Sequence, residues 1–154
     1  MKELRTEIEI HATPERVWAI LTDLDKYPQW NPLFHHAQGR LEMGGQVDAT
    51  YRTGKKDTTL HCAIVTLDPA RSLAWKYHVL LPGLWSGVHT FTIEPLWEGG
   101  VLFHDVEVFT GLLVPLMAHS IDTDTRRSFR QMDQALKARA ERGEPPDAGV
   151  PAHG

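Results

Sequence analysis

A single cysteine, Cys62, is all that the 154 residues contain, so no internal disulfide supports the fold. Long apolar runs are missing as well. No stretch reaches the roughly 18 to 20 residues needed to span a bilayer, and the opening Met1-Lys2-Glu3-Leu4-Arg5 runs into a strand pattern without a signal-peptide core. Nor is positive charge in excess: 16 Lys and Arg stand against 20 Asp and Glu, a formal charge of −4, with the two signs interspersed. Such a chain offers phosphates no long basic face, which argues against nucleic acid as a partner. These absences together lead to the expectation of a soluble, cytoplasmic protein without a transmembrane segment.

Signatures of chemistry are equally sparse. The histidines do not sit at ligand spacings: His35 and His36 are adjacent on a strand and point apart, while His89 and His104 have no Cys or His at a spacing such as His-x3-His. No metal and no other cofactor is expected. No Gly-rich loop leads into a helix, and Ser86 and Ser120 lack the context of a nucleophile elbow, so nucleotide and hydrolase readings fall away. Cys62 lies in an apolar alternating run. To act as a nucleophile it would need a base, and its neighbour His61 points to the opposite face of the strand, so it reads as a buried, inert thiol.

What the sequence does carry is a change of period. A chain of this length fits one domain, which buries roughly 70% of the surface its unfolded form exposes. Leu4, Thr6, Ile8 and Ile10 alternate with charged residues, as in a half-buried strand. Thr13-Pro14-Glu15 then supplies an N-cap hydroxyl, a proline at the first helical position and a first-turn carboxylate, which predicts a short helix from Thr13 to Leu24. Val17, Trp18, Ile20, Leu21 and Leu24 give it a buried side. Pro28 and Pro32 limit the next stretch to a helical turn or loop.

From Phe34 onward, turn chemistry at Gly44-Gly45, Gly54 to Asp57, Asp68-Pro69-Ala70, Pro82-Gly83 and Gly99-Gly100 separates runs of strand length. The expected strands are 34–42, 46–53, 58–67, 72–80, 86–95 and 101–110, seven with the first. Strands and helices do not alternate, which argues against a parallel α/β fold. After Gly111 the period becomes helical, and Met117, Ile121, Thr125, Ser128, Phe129, Met132 and Leu136 mark one side of a long helix from Pro115 to Arg142. The Gly-, Pro- and Ala-rich tail 143–154 is expected to be disordered, leaving 1–142 as the single domain.

A sheet wrapped round a long final helix tends to enclose a cavity. Thr125 and Ser128, small and polar on the helix's inward side, leave a gap unless neighbours fill it. Strand alternation turns Leu73, Trp75, Tyr77 and Val79 inward, and likewise His89, Phe91 and Ile93. The last strand is apolar on both faces. Phe103, Asp105, Glu107 and Phe109 are assigned to the interior because two phenylalanines bring more area to bury, roughly 150 to 250 Å² for an aromatic side chain. Glu107 is then a carboxyl in an apolar cavity, where burial favours its neutral form or demands a partner, and His89 on the neighbouring strand is the candidate. The pair fits an acid/base role, the orientation of a bound polar group, or a purely structural contact.

Four segments, "IEIHATPERVWAILTDLDKYPQWNP", "GVHTFTIEPL", "FTGLLVPLM" and "DTDTRRSFRQMDQALKARAE", resemble the START/polyketide-cyclase (SRPBCC) superfamily, in particular its small bacterial cyclase/dehydrase-like and coenzyme-Q-binding-like members. The resemblance runs to Arg142. It implies an α+β helix-grip fold: a curved seven-stranded antiparallel sheet around the long C-terminal helix, with two short helices between strands 1 and 2. It also implies a hydrophobic small molecule as partner, lipid-, quinone- or polyketide-like. On that reading Trp30, Phe34, Trp75, Tyr77, Phe91, Phe109, Phe129 and Met132 are the candidate walls, with Thr125 and Ser128 beside them and His89 and Glu107 orienting the ligand. The alternative is a cyclase or dehydratase in which His89 or Glu107 moves a proton. A third class is an interaction module presenting the loop Leu80 to Trp85 to a membrane or partner protein, against which stands a lid whose apolar residues fold inward. Monomer and homodimer both remain open.

Overall fold

Charged and apolar residues alternate along β1 (Lys2–Ile10), burying Leu4, Thr6 and Ile10 while Glu3, Arg5, Glu7 and Glu9 stay exposed. The computed structural model describes residues 1–53 and 55–142; the tail 143–154, expected to be disordered, lies outside the described residues. Helix α1 (Pro14–Thr22) starts where the capping pattern predicts: the Thr13 hydroxyl accepts the Arg16 N–H at 3.1 Å. It stops two residues before the expected end. The chain tightens into a 3-10 turn (Leu24–Lys26) and a single helical turn, α2 (Tyr27–Trp30).

Strands β2 (Phe34–Gly39), β3 (Gln46–Thr53), β4 (Lys56–Asp68), β5 (Ser72–Val79), β6 (Trp85–Pro95) and β7 (Val101–Thr110) complete one antiparallel sheet. Its order is β1-β7-β6-β5-β4-β3-β2, a meander whose last strand returns beside the first. The connection from β1 to β2 therefore crosses to the opposite edge, and the short helices span it. Strand β2 ends three residues earlier than expected. At Gly39 (φ +139°) the chain turns against the Gln46 carbonyl, so closely that a Cβ would collide with it.

The C-terminal helix runs from Val114 to Glu141 in three parts: α3 (Val114–Ser120), a π-helical turn (Ile121–Thr125) and α4 (Arg126–Glu141). Phe129, Met132, Leu136 and Ala140 of α4 are buried against the sheet with Trp75, Phe91, Phe103 and the apolar side of α1. The Arg16 guanidinium donates to the carbonyls of Arg139, Ala140 and Arg142, satisfying oxygens that the end of α4 leaves unpaired. No helix among the described residues is long and apolar enough to cross a membrane.

Candidate ligand-binding site

Two local motifs shape the cavity end of the sheet. Asn31, almost fully buried, turns its Oδ1 back to accept the N–H groups of Leu33 and Phe34 at 3.0 and 2.9 Å, which sets Phe34 at the head of β2. Across the sheet, the carbonyls of Gly83 and Leu84 accept the N–H groups of Leu112 and Leu113, tying the β5–β6 loop to the start of α3. Because α4 fills only the far end of the sheet, a cavity of about 330 Å³ remains between the near end and α3 with its π turn. That volume is at the lower end of the range for small-molecule sites, roughly 300–1,000 Å³. Leu33, Phe34, Leu60, Phe109, Ile121 and Phe129 are among its apolar walls. Leu80 and Met117, at 74% and 45% exposure, mark its mouth.

The deep end of the cavity is polar. Tyr77 on β5 reaches over Gly87 on β6, and its hydroxyl donates to Glu107 Oε1 on β7. Only glycine permits that crossing, since a Cβ at position 87 would overlap the Tyr77 ring and hydroxyl. Burial raises the Glu107 carboxyl above its usual range, while His89 and the Tyr77 hydrogen bond pull the other way. Tyr77 is held far above the ordinary phenol range, first by burial and then by the Glu107 charge.

Behind Glu107 lies a second, fully enclosed group. His89 Nε2 is 2.5 Å from Asp105 Oδ1, whereas its Nδ1 is 3.7 Å from Glu107 Oε2, beyond hydrogen-bond reach. Asp105 and Asp133 of α4 lie close enough to interact, and Asp133 Oδ2 accepts the Thr6 hydroxyl at 2.6 Å. The remaining oxygens, Asp105 Oδ2 and Asp133 Oδ1, have no other donor. Two acceptors can satisfy each other only if a proton lies between them, so the pair holds one. Burial accordingly pushes both carboxyls up to about 8. His89 is pushed the opposite way by burial, against the charges of Glu107 and Asp133.

Six of the residues singled out from the sequence line the cavity: Phe34, Tyr77, Glu107, Phe109, Thr125 and Phe129. Six do not. Trp75, Phe91 and Met132 belong to the solid core, where Trp75 meets Phe34 and Phe91 edge-on at 5.5 Å in each case. His89 sits one layer behind the wall, covered by the Phe129 ring stacked on it at 4.9 Å. Trp30 packs edge-on against Tyr27 at 5.3 Å, and the Ser128 hydroxyl donates to its own helix at Asp124 O. Glu107 thus has Tyr77, not His89, as its hydrogen-bonded partner, because the His89 ring is turned towards Asp105.

Sequence reasoning passed over Leu33, Tyr51, Leu60, Leu113 and Ser120, which also line the cavity. It also passed over the Thr6–Asp133–Asp105 group. The signal for the latter was present: Asp133 stands between Met132 and Leu136 on the apolar side of a helix. The lid reading of the β5–β6 loop holds for only part of it. Leu80 and Trp85 reach the cavity, yet Leu80 and Leu81 stay mostly exposed. Cys62 is buried, its thiol pushed up to about 12 by desolvation and the Glu107 charge, and His61 bonds Asp48 on the outer face. No group of residues suited to a metal occurs among the described residues.

The family described as polyketide cyclase/dehydrase and lipid transport matches residues 1–141. No curated protein matches the sequence significantly. Among solved structures, the Zhui aromatase/cyclase from Streptomyces sp. R1128 superposes with a TM-score of 0.75 at 17% identity, over 92% of this chain and 94% of that one. A START superfamily protein from Mycobacterium smegmatis gives 0.70 at 20% identity, over 90% and 97%. The di-domain ARO/CYC StfQ of the steffimycin biosynthetic pathway gives 0.73 at 16% identity, over 90% of this chain and 50% of that one. Likeness at such identities is one of fold.

Proposed function

The chain belongs to the polyketide cyclase/dehydrase and lipid transport family, and from that premise we propose that it binds a hydrophobic or aromatic small molecule between sheet and C-terminal helix. The ligand is lipid-, quinone- or polyketide-like. One observation carries this reading: the cavity of about 330 Å³ has walls of Phe, Leu and Ile and the buried, hydrogen-bonded Tyr77–Glu107 pair among them. Apolar walls supply affinity through desolvation, and the Tyr77–Glu107 pair supplies orientation. Native mass spectrometry of freshly purified protein tests it, since a retained ligand adds its own mass. A second test is displacement of an environment-sensitive dye by long-chain and aromatic ligands. A protein that carries nothing and takes up none of these ligands would overturn the reading.

A second reading is favoured by one feature. Glu107 opens on the cavity while His89 Nδ1, buried and without a hydrogen-bond partner, lies 3.7 Å behind it, an arrangement suited to moving a proton on a polyketide-like substrate. Loss of turnover in Glu107→Gln with binding retained would support the enzyme; unchanged binding chemistry with no turnover in the parent protein supports the carrier.

A further inference from the structure

The deep end of the cavity has a single kind of hydrogen-bonding surface. The Tyr77 hydroxyl spends its proton on Glu107 Oε1, so the phenol oxygen is left only lone pairs to offer a ligand. Glu107 presents lone pairs as well. If it is ionised it is an acceptor only, and His89 Nδ1, 3.7 Å from Oε2, is too far to take up either lone pair. Around this end stand further potential negative charges. Asp105 and Asp133 share their proton behind His89. Among the described residues no Lys or Arg lines the cavity, and its other polar groups are neutral: the hydroxyls of Tyr51, Ser120 and Thr125, and the Trp85 indole N–H, which is directed to the Tyr77 phenol.

We infer that the Tyr77–Glu107 end selects ligands by the sign of their charge: it takes an end group that donates a hydrogen bond, neutral or cationic, and rejects an anionic one. The inference rests on the ligand-binding reading and deepens it. A hydroxyl, phenol or ammonium donates into the facing lone pairs. A carboxylate brings further lone pairs against them, in surroundings with little water to screen the repulsion. A fatty-acid-like ligand therefore enters tail first, with its carboxylate at the mouth beside Leu80, whereas an alcohol or phenol enters head first.

Three probes of one shape test this: 2-naphthol, 2-naphthoate and 2-naphthylmethylammonium, titrated calorimetrically near neutral pH into the full chain. Desolvation alone penalises both ions alike, so the comparison of cation with anion isolates the charge of the site. The expected result is that naphthol binds, that the ammonium binds about tenfold or more tighter than the carboxylate, and that Glu107→Gln removes this preference. Equal affinity of the two ions in the parent protein overturns the inference, as does a preference that survives Glu107→Gln. If near-ultraviolet circular dichroism shows that variant misfolded, the cation-to-anion ratio of the parent protein decides alone. If none of the probes binds and dye displacement also fails, the ligand-binding reading falls first; if naphthol binds and the ions are not distinguished, only the charge selection falls.

Discussion

Replacing Asp133 by Asn supplies permanently the hydrogen that Asp105 and Asp133 otherwise share. The amide N–H can donate to Asp105 Oδ2 and the amide oxygen can still accept the Thr6 hydroxyl, so the buried network keeps its bonds without a bound proton. In the parent protein the folded pair holds a proton up to about pH 8, while an aspartate in the unfolded chain releases it near pH 3.9. Between those values the native state binds more protons than the unfolded state. Stability contributed by the pair is thus fully present below about pH 4 and is lost as pH rises, by about 1.4 kcal/mol per pH unit for one proton. From about pH 6 to about pH 7.5 the loss amounts to about 2 kcal/mol. Glu107 is raised too and adds a loss of the same sign, so the quantity to measure is the difference between parent and variant. Urea unfolding at several pH values should show a slope shallower by about 1.4 kcal/mol per unit in Asp133→Asn. Asp133→Ala, which leaves the Thr6 hydroxyl and Asp105 Oδ2 without a partner while His89 still holds Oδ1, should cost about 1–3 kcal/mol for each orphaned group. Parallel stability curves for the parent and Asp133→Asn would refute the shared proton.

Two further outcomes are expected from the geometry. Gly87→Ala drives a methyl into the Tyr77 ring and should cost about 1–3 kcal/mol in thermal unfolding, most of it regained when Tyr77→Leu is added to clear the space. Full cost persisting in the double variant would mean that the strain lies elsewhere. Cys62, buried and pushed up to about 12, should ignore a thiol reagent at mildly alkaline pH in the folded protein and react at once in denaturant. Fast reaction of the native protein would contradict its burial.

Much of the fold could be read from the sequence because local rules decide it. Thr13-Pro14-Glu15 makes a helix start whatever surrounds it, and alternation together with the area of two phenylalanines placed Phe103, Asp105, Glu107 and Phe109 on the buried face of β7. The site was only half legible, and the division has a physical origin. Alternation tells which side chains turn inward but not where along the strand the helix packs tightly. Tyr77 and Trp75 share a face, yet one rung separates a cavity wall from the core. The partner of His89 was a matter of one rung as well. Trp75, His89 and Glu107 stand in one row across the sheet and Leu73, Phe91 and Asp105 in the next, and nothing in a strand pattern tells an imidazole which row to face.

The π turn at Ile121–Thr125 changes the angular phase of the C-terminal helix. Counted back from Phe129 along an uninterrupted α-helix at about 100° per residue, the cavity-facing positions would be Thr125, Asp122 and Ala118. The side chains that line the cavity are instead Thr125, Ile121 and Met117, each earlier position displaced by one residue. Asp122 is thereby released to the surface, where Lys2 holds its carboxylate at 2.9 Å. Rewinding the same residues as continuous α-helix would present an acid and an alanine where an isoleucine and a methionine now stand, whereas deleting one residue of the turn would remove the bulge and keep Ile121 and Met117 on the cavity side, so the apolar character of that wall is stored in a count of residues as much as in their identity.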